Sequence, residues 1–307
     1  MTCEVSDGSG AIDAPLADMA ITDGCVPARE YCGDGIDQDC DGIDPTCPPN
    51  DRPNSSTDVT AGGTFTADLT YAHEDAPGPG SMSCGFAGGR DVFYRVGVFT
   101  DETYYIDTFG SDFDTSIRVF HNISCASVTG ATNGAICRND MCGTLQSQYA
   151  GTMSGENCIV ITQHSSNETK GHLVLHVERG NRKGYSGLLT GTVTLTGSTC
   201  NGINDYMGNC GGAGPNIDYF TTGCPGQTQN LTATTCSAAT LIDTSLFVLG
   251  PGSTQIACND DDAACTASGA DSTIPTVQLV GAHLFWVIVD MQTAGGCGTY
   301  SLTATLN

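Results

Sequence analysis

Phe113-Asp-Thr-Ser-Ile-Arg-Val-Phe120, followed by Cys137-Arg-Asn-Asp140, returns later in the chain as Ile242-Asp-Thr-Ser-Leu-Phe-Val-Leu249, followed by Cys258-Asn-Asp260. A glycine-rich block and an aromatic block precede each pair: Cys84-Gly-Phe-Ala-Gly with Asp91-Val-Phe-Tyr, and Cys210-Gly-Gly-Ala-Gly with Asp218-Tyr-Phe. Four matched blocks in one order indicate two copies of one domain, and two copies are too few for a solenoid. We therefore expect tandem domains, each with its own core.

The sequence between these blocks has the pattern of β-strands. From about Asp58 onward, short runs such as Thr64-Phe-Thr-Ala-Asp-Leu-Thr70 alternate with clusters of Gly, Asn, Asp and Ser. No segment keeps a helical period for about ten residues. The pattern predicts an all-β protein with two tandem antiparallel β-sandwich domains, jelly-roll-like, at residues 55–180 and 181–307.

The first 54 residues differ in composition from the rest. Gly, Asp, Pro and Cys dominate there, and Cys47-Pro-Pro-Asn-Asp-Arg-Pro-Asn54 is typical of an extended linker. Such a segment cannot build an ordinary hydrophobic core. We expect residues 1–54 to form an N-terminal arm that disulfides, a metal or a neighbouring chain hold in place.

Charge excludes several classes of partner. Among 307 residues, Lys and Arg number 10 and Asp and Glu 34, which gives a formal net charge of -24. Nucleic acid and anionic membrane surfaces are repelled by such a chain. The sequence also has no apolar run of about 18 residues that could insert into a membrane. The beginning of the chain lacks a signal-peptide pattern, so a secreted protein would have had its leader removed or left out.

The 17 cysteines indicate an oxidising compartment. They are spread along the chain almost without Cys-x-x-Cys pairs, which favours disulfides over zinc sites and places the protein outside the cell or on its surface. An odd count leaves at least one cysteine that is a free thiol, is bonded to another chain, or pairs with a residue outside this sequence. The candidates for disulfides at the acidic segments are Cys32, Cys40, Cys47, Cys137, Cys142, Cys258 and Cys265. Glycosylation sequons begin at Asn54, Asn122, Asn167 and Asn230.

An acidic segment in the arm has the beginning of a calcium loop. Asp37, Asp39 and Asp41 stand at alternate positions with Gly42 next, as in loops where carboxylates converge on one ion. The twelfth position of an EF-hand requires Glu and is Pro48 here, so the EF-hand geometry fails.

Two family resemblances follow from these motifs. Asp114-Thr115 with Cys137 and Asp140, and Asp243-Thr244 with Cys258-Asn-Asp260, resemble the bacterial pre-peptidase C-terminal domain, a jelly-roll-like β-sandwich of secreted proteins; the first copy lacks its late Gly-x-Tyr strand. The arm resembles the Asp/Cys metal-binding repeats of secreted bacterial proteins, some described as copper-binding, and more distantly thrombospondin type 3 calcium repeats. The resemblances imply attachment, adhesion or assembly. They also imply a set of metal ligands: Asp34, Asp37, Asp39, Asp41 and Asp44.

The identity of the metal follows from these ligands. All are carboxylates, which favours Ca²⁺ over copper; a turn held by disulfides alone is the alternative. Asp260, Asp261 and Asp262 form a second candidate metal site, with a solvated loop closed by a short disulfide between Cys258 and Cys265 as the alternative. We expect Asp114 and Asp243 to accept hydrogen bonds from backbone amides. His172 and His176 share a strand face, where packing is a better interpretation than metal binding, and Trp286 is expected in the core.

No catalytic motif stands in the sequence. It has no Gly-x-Ser-x-Gly, His-Glu-x-x-His, phosphate loop or dinucleotide fingerprint. We therefore expect a non-enzymatic extracellular structural or surface protein without an organic cofactor, stabilised by calcium and disulfides and able to self-associate into an oligomer or fibre. The alternative is an adhesive module that binds polysaccharide or protein.

Overall fold

The fold is all-β, as the alternating pattern predicts. The computed structural model describes residues 26–76, 89–128, 135–184, 186–265 and 270–307. These contain no α-helix, and the only helical segments are short 3-10 turns at Pro53–Ser55, Cys125–Ser127, Met141–Gly143, Thr199–Asn201 and Pro251–Ser253. The strands are β1 Thr57–Asp58, β2 Gly63–Asp68, β3 Asp91–Asp107, β4 Thr115–Phe120, β5 Ala135–Asn139, β6 Gln148–Gln163, β7 His172–Arg179, β8 Ser186–Leu188, β9 Thr192–Ser198, β10 Asn216–Thr222, β11 Thr228–Thr234, β12 Thr244–Gly250, β13 Thr254–Asn259, β14 Thr273–Val280, β15 Leu284–Met291 and β16 Thr299–Leu306.

Strands β1 to β7 form the first sheet system, with the order β2-β7-β3-β6-β4-β5 and with β1 parallel to β3. Two long strands, β3 and β6, pair along nearly their whole lengths, and the register shifts between Val98 and Glu102. On one side of this break β3 and β6 lie beside β1 and β4, and on the other side β3 lies beside β7. The two long strands therefore belong to both layers of the first sandwich.

Strands β8 to β16 repeat this topology with the long strands cut in two. One sheet has the order β13-β12-β15-β10-β8 and the other β14-β11-β16-β9. Strands β10 and β11 take the places of the two halves of β3, and β14 and β15 those of β6. The short parallel pair of β8 with β10 repeats that of β1 with β3. Strand pairing thus reproduces the repeat that the sequence blocks predict.

The strand registers align the aromatic blocks of the two copies differently from the sequence match, which placed Asp91 opposite Asp218. Ser116 and Ser245, from the shared Asp-Thr-Ser, lie opposite Thr162 and Asp290. Those residues in turn pair with Asp91 and Asn216. Asp91 therefore corresponds to Asn216, and Asp218 lies two residues further along. A shift of two residues leaves every side chain on the same face, so alternation alone cannot reveal it.

Each sandwich has its own hydrophobic core. In the first, alternate residues of β3 such as Val92, Tyr94 and Val96 pack with Ile159 and Ile161 of β6. The second core is built in the same way, with these members: Ile217 and Tyr219 of β10, Leu246 and Val248 of β12, and Phe285, Val287 and Val289 of β15. The period of two places these side chains inward and their neighbours on the opposite face.

A third buried cluster lies between the sandwiches. Tyr105 on the outer face of β3 packs with Phe220, Leu284 and Trp286 on the outer face of the five-stranded sheet. Trp286 is 2% exposed, so it is interior, as expected, although in this cluster and not between its own two sheets. The two sandwiches therefore meet through sheets that do not correspond to each other. The first contributes the sheet that contains β7 and the second half of β3, and the second contributes the five-stranded sheet.

The linker between the sandwiches is fixed by Arg182. Its Nη1 lies 2.7 Å from Oδ2 of Asp218, and its guanidinium lies over the rings of Tyr206 and Trp286, at 5.4 and 5.7 Å from their centroids. The carbonyl of Arg182 accepts a 2.8 Å hydrogen bond from the N–H of Thr103 in β3. Contacts to both the side chain and the main chain of Arg182 therefore fix the linker.

Every cysteine of the described residues is disulfide-bonded, so a cysteine left over by the odd count lies outside them. One bond, Cys142–Cys224, joins the two sandwiches. The acidic loop after β13 is not closed by a bond between Cys258 and Cys265. These two cysteines bond to more distant partners, as the pairs Cys210–Cys258 and Cys236–Cys265. Further bonds within the sandwiches include Cys125–Cys158 and Cys200–Cys297.

The chain divides into two compact units, Met1–Thr46 and Cys47–Asn307, and both sandwiches belong to the second. The domain boundaries expected at residues 54 and 180 stay predictions, although the sheet systems do change between β7 and β8. Among the described residues, no helix has the length and apolar character needed to cross a membrane.

Candidate metal centre

In the arm, the structure brings two of the predicted ligands together with a third acidic residue. Glu30, Asp37 and Asp39 each offer a carboxylate oxygen within 4.8 Å of the others. Glu30 is 3% exposed, and its Oε2 accepts hydrogen bonds of 2.6 and 2.9 Å from the N–H groups of Gln38 and Asp39. Hard carboxylate oxygens at this separation can bind a divalent cation.

The other predicted ligands in the arm are engaged with nearby main-chain N–H groups. Asp44 accepts from Gly33 and Gly35 at 2.6 and 2.7 Å, so it closes the loop across eleven residues. Asp34 and Asp41 each accept from the residue two positions further on. These carboxylates shape the loop, and they do not lie in the acidic group with Glu30.

Glu30 was not among the predicted ligands. It precedes the Asp-rich segment, and it does not fit the alternate spacing of Asp37, Asp39 and Asp41 that identified the calcium-type loop. The one sequence signal that could have indicated it is its position two residues before Cys32, at the start of the cysteine-bounded segment.

A second acidic group lies at the end of the second sandwich. Asp243, Asp260 and Asp261 offer carboxylate oxygens that all lie within 4.8 Å of one another. Asp243 directly precedes β12, and the other two follow β13. Since β12 and β13 pair antiparallel, the start of one lies beside the end of the other, and the three side chains meet.

The electrostatics of this group favour a cation. Burial raises the pKa of the Asp243 carboxyl, and the neighbouring carboxylates of Asp260, Asp261 and Asp271 raise it further. Oδ1 of Asp243 and Oδ1 of Asp271 are buried without a hydrogen-bond partner among the described residues. Unpaired buried oxygens next to other carboxylates are costly unless a proton or a cation neutralises them. The group can therefore hold a metal ion.

Asp260 is also held from the sheet side. Its Oδ1 accepts a 2.9 Å hydrogen bond from the hydroxyl of Ser245, and its Oδ2 accepts a 2.6 Å hydrogen bond from Nε2 of Gln292. Ser245 and Gln292 belong to β12 and to the turn after β15, so two structural elements orient this carboxylate.

Asp262, the third residue predicted here, lies apart from the group. Its Oδ1 accepts a 2.9 Å hydrogen bond from the N–H of Ala264, and its carboxylate lies near Cys236 and Cys265. Those two cysteines are bonded to each other, so they offer no thiolate to a metal. The second candidate site therefore contains Asp243 together with Asp260 and Asp261, and the predicted ligand Asp262 is not part of it.

The expected backbone hydrogen bonds of Asp114 and Asp243 are not found among the described residues. One carboxylate oxygen of each is buried without a partner, and it is their main-chain carbonyls that accept, from the N–H groups of His164 and Gln292. In the first sandwich Asn139 stands where the second has Asp260. Asp114 has the acidic neighbours Asp140 and Glu168, and among the described residues it does not form a group of three close carboxylates as Asp243 does.

The two strand histidines have different surroundings. His176 Nδ1 lies 3.0 Å from Oδ1 of the buried Asp107, whereas His172 is exposed and its N–H donates to Asp112. The asparagines of the four sequons, Asn54, Asn122, Asn167 and Asn230, are all exposed.

Comparison with known proteins gives only distant similarities. No family model and no curated protein matches the chain. Among solved structures, the pre-peptidase C-terminal domain of a collagenase from Bacillus anthracis is 13% identical over 41% of this chain and 99% of that chain, with a TM-score of 0.26. The CUB1-EGF-CUB2 domain of human MASP-1/3 is 10% identical over 80% of this chain and 99% of that chain, with a TM-score of 0.20. These values assign the chain to no family.

Proposed function

We propose that this chain is a non-enzymatic structural or surface protein that acts outside the cell. The observation that carries the proposal is the joint between the sandwiches: the Cys142–Cys224 disulfide, the buried cluster around Trp286 and the buried Arg182–Asp218 pair. A disulfide in this position requires an oxidising compartment. A joint held in three ways makes a stiff two-domain unit, which suits a building block better than a hinged enzyme.

Assembly into an oligomer or fibre is the form that we propose for this role. The sandwiches meet through different faces, since the first offers the side of β3 and β7 and the second offers the five-stranded sheet. Contacts between unlike faces can continue from one molecule to the next and build open filaments. In the second sandwich, the sheet that corresponds to the contact face of the first has exposed side chains at alternate positions of β9 among the described residues. The leftover cysteine offers a further link.

We propose Ca²⁺ as the ion at both acidic groups. Their donors are all carboxylate oxygens, the donor type that Ca²⁺ prefers. In this role Glu30, Asp37 and Asp39 would hold one ion, and Asp243, Asp260 and Asp261 the other. The ion would stiffen the arm loop and the end of the second sandwich.

Electron microscopy of the native material tests the proposal, together with reducing and non-reducing gels with and without a calcium chelator. We expect ordered filaments or a disulfide-linked ladder, and looser particles after chelation. Dispersed monomers under every condition would refute assembly. They would leave the adhesive module as the better account.

One observation favours that alternative, adhesion to an uncharged polysaccharide. The four strands β9, β11, β14 and β16 contain no Asp, Glu, Lys or Arg, although the chain carries a net charge of -24. Cross-strand pairs place threonines side by side on the outer face, with Thr192 beside Thr305 and Thr194 beside Thr303. We name this surface the threonine face. A surface of hydroxyl and methyl groups is suited to a neutral, hydroxyl-rich partner.

A binding assay with insoluble neutral glycans tests the alternative. We expect Thr194→Lys to reduce retention of the chain, and Thr66→Lys on β2 of the first sandwich to leave it unchanged. Equal retention of both variants would refute the threonine face as the adhesive surface.

A further inference from the structure

A cleft of about 700 Å³ opens between the two sandwiches. Its floor is the outer face of β2, β7 and β3, and its opposite wall is formed by turns of the second sandwich that carry Pro225, Pro251 and His283. Interfaces between domains are common positions for ligand sites. Neither acidic group includes a residue of this cleft.

Three neighbouring strands place a row of polar side chains on the floor. In the strand registers His176 of β7 lies between Thr64 of β2 and Asp107 of β3. Nδ1 of His176 is 3.0 Å from Oδ1 of Asp107, and this carboxylate is 2% exposed and also accepts from the N–H of Phe109 at 2.9 Å. Because Asp107 holds Nδ1, Nε2 is the ring nitrogen that His176 can present to a ligand. The side chain of His176 is 43% exposed.

A second histidine–carboxylate pair spans the two sandwiches. Nδ1 of His283 lies 3.5 Å from Oε2 of Glu178, and the same oxygen accepts from the N–H of Leu284 at 3.2 Å. Glu178 keeps 26% of its side chain exposed. The carboxylate of Glu178 therefore contacts the second sandwich and is also accessible from the cleft.

Beneath the floor lies the buried hydroxyl of Tyr105, close to Asp107 and Gln148. The Tyr105 side chain is 1% exposed, and its OH has no hydrogen-bond partner of normal geometry among the described residues.

Charge and shape together define the ligand. The cleft-lining residues of the described chain include the carboxylates of Asp107 and Glu178 but neither Lys nor Arg. The rest of the wall is mostly apolar, with Pro225, Pro251 and Phe109. An anion would meet the carboxyl groups of Asp107 and Glu178 here, without a Lys or Arg among the described lining residues. A cation with an apolar body would bury its body against the prolines and pair its charge with a carboxylate.

We propose that this cleft binds a ligand that carries a primary ammonium group on an apolar stem. The ammonium donates to Glu178 and to Nε2 of His176, and the stem packs against Pro225 and Pro251. A free alkyl amine and a lysine side chain share this chemistry. The inference goes beyond the structural role proposed above and does not depend on assembly.

Titration calorimetry of the full chain with three probes tests the inference. The probes are cadaverine as a free amine, Nα-acetyl-lysine methylamide as the lysine side chain, and the norleucine analogue of the latter as a neutral isostere. We expect one or both amines to bind and the isostere to bind at least about tenfold more weakly, because the charged hydrogen bond is lost. The amine that binds with the higher affinity shows whether the natural ligand is a free alkyl amine or a lysine side chain.

Matched variants locate the site. Glu178→Gln keeps the shape and removes the charge, and we expect it to weaken amine binding by about tenfold to a hundredfold. Glu156→Gln makes the same change on an exposed carboxylate outside the cleft and should leave the affinity unaltered.

The inference is overturned by any of three results. These are no saturation by either amine up to about 1 mM, equal binding of the norleucine analogue, or equal losses in the Glu178 and Glu156 variants. Thermal unfolding of each variant checks that the joint between the sandwiches is intact.

Discussion

Asp290 is a buried carboxyl group, and its environment disfavours the negative charge that an aspartate usually carries. It is 0% exposed, and neither of its oxygens has a hydrogen-bond partner among the described residues. The glycine-rich loop after Cys210 covers it so closely that a Cβ at Gly212 would lie 2.5 Å from its Oδ2. Burial raises its pKa to about 8; the nearby N–H of Met291 lowers it in part, and Asp218 and Asp205 raise it.

Replacing this carboxyl should change how stability depends on pH. Between about pH 4, the ordinary carboxyl range, and about pH 8, the folded chain keeps a proton at Asp290 that the unfolded chain has lost. The free energy of unfolding therefore falls as the pH rises through this window. Asp290→Asn, which is neutral at every pH, should reduce that slope by up to about 1.4 kcal/mol per pH unit. Urea unfolding at several pH values measures it.

The control for this prediction is Asp101→Asn, because Asp101 is exposed and paired with Lys183. An unchanged slope in the Asp290 variant, or an equal change in the control, would contradict the assignment of the bound proton.

The acidic group at Asp243 makes a second prediction at the residue scale. Calcium at a hundredfold excess over its dissociation constant should stabilise the chain by about 2.7 kcal/mol. Asp243→Asn should remove most of the increase in melting temperature that this site contributes. Asp114→Asn makes the same change at the equivalent position of the first sandwich, where no acidic group forms, and should retain it. Differential scanning calorimetry with calcium and with chelator distinguishes the two outcomes.

At the scale of elements, the linker between β7 and β8 depends on one side chain. Burial raises the pKa of Asp218 to about 6, although the guanidinium of Arg182 lowers it. The ion pair is buried on both sides, since the side chains of Arg182 and Asp218 are 8% and 1% exposed. Removing one partner from such a pair leaves a charge without compensation.

We expect Arg182→Met to destabilise the protein by about 3–5 kcal/mol, since Asp218 then stays buried without its cation. Adding Asp218→Asn should restore part of the loss. Denaturant unfolding of the single and double variants gives both values. A cost of less than about 1 kcal/mol for the single variant, the range of surface pairs, would show that the pair is solvated in solution.

At the scale of the whole molecule, the two sandwiches are joined as one unit. Removal of the Cys142–Cys224 bond by Cys142→Ser with Cys224→Ser should cost about 2–5 kcal/mol. It should also speed tryptic cleavage after Lys183 in the linker, because only noncovalent contacts, among them the buried cluster and the ion pair, would then hold the joint. Cys200→Ser with Cys297→Ser removes a bond within the second sandwich and should lower stability without the same increase in linker cleavage.

Time courses of proteolysis under native conditions compare the two double variants. If linker cleavage rises equally in both, the Cys142–Cys224 bond has no special role at the joint.

The sequence by itself determined the all-β class, the repeat and the presence of disulfides, because strand alternation, repeated blocks and cysteine content are properties of neighbouring residues or of composition. It also indicated acidic groups at Asp37–Asp39 and Asp260–Asp261. Only the tertiary structure added Glu30 and Asp243, aligned Asp91 with Asn216 and created the cleft at His176. Each of these depends on strand register or on the joint between the sandwiches, which bring together residues far apart in the chain, and local patterns do not encode such contacts.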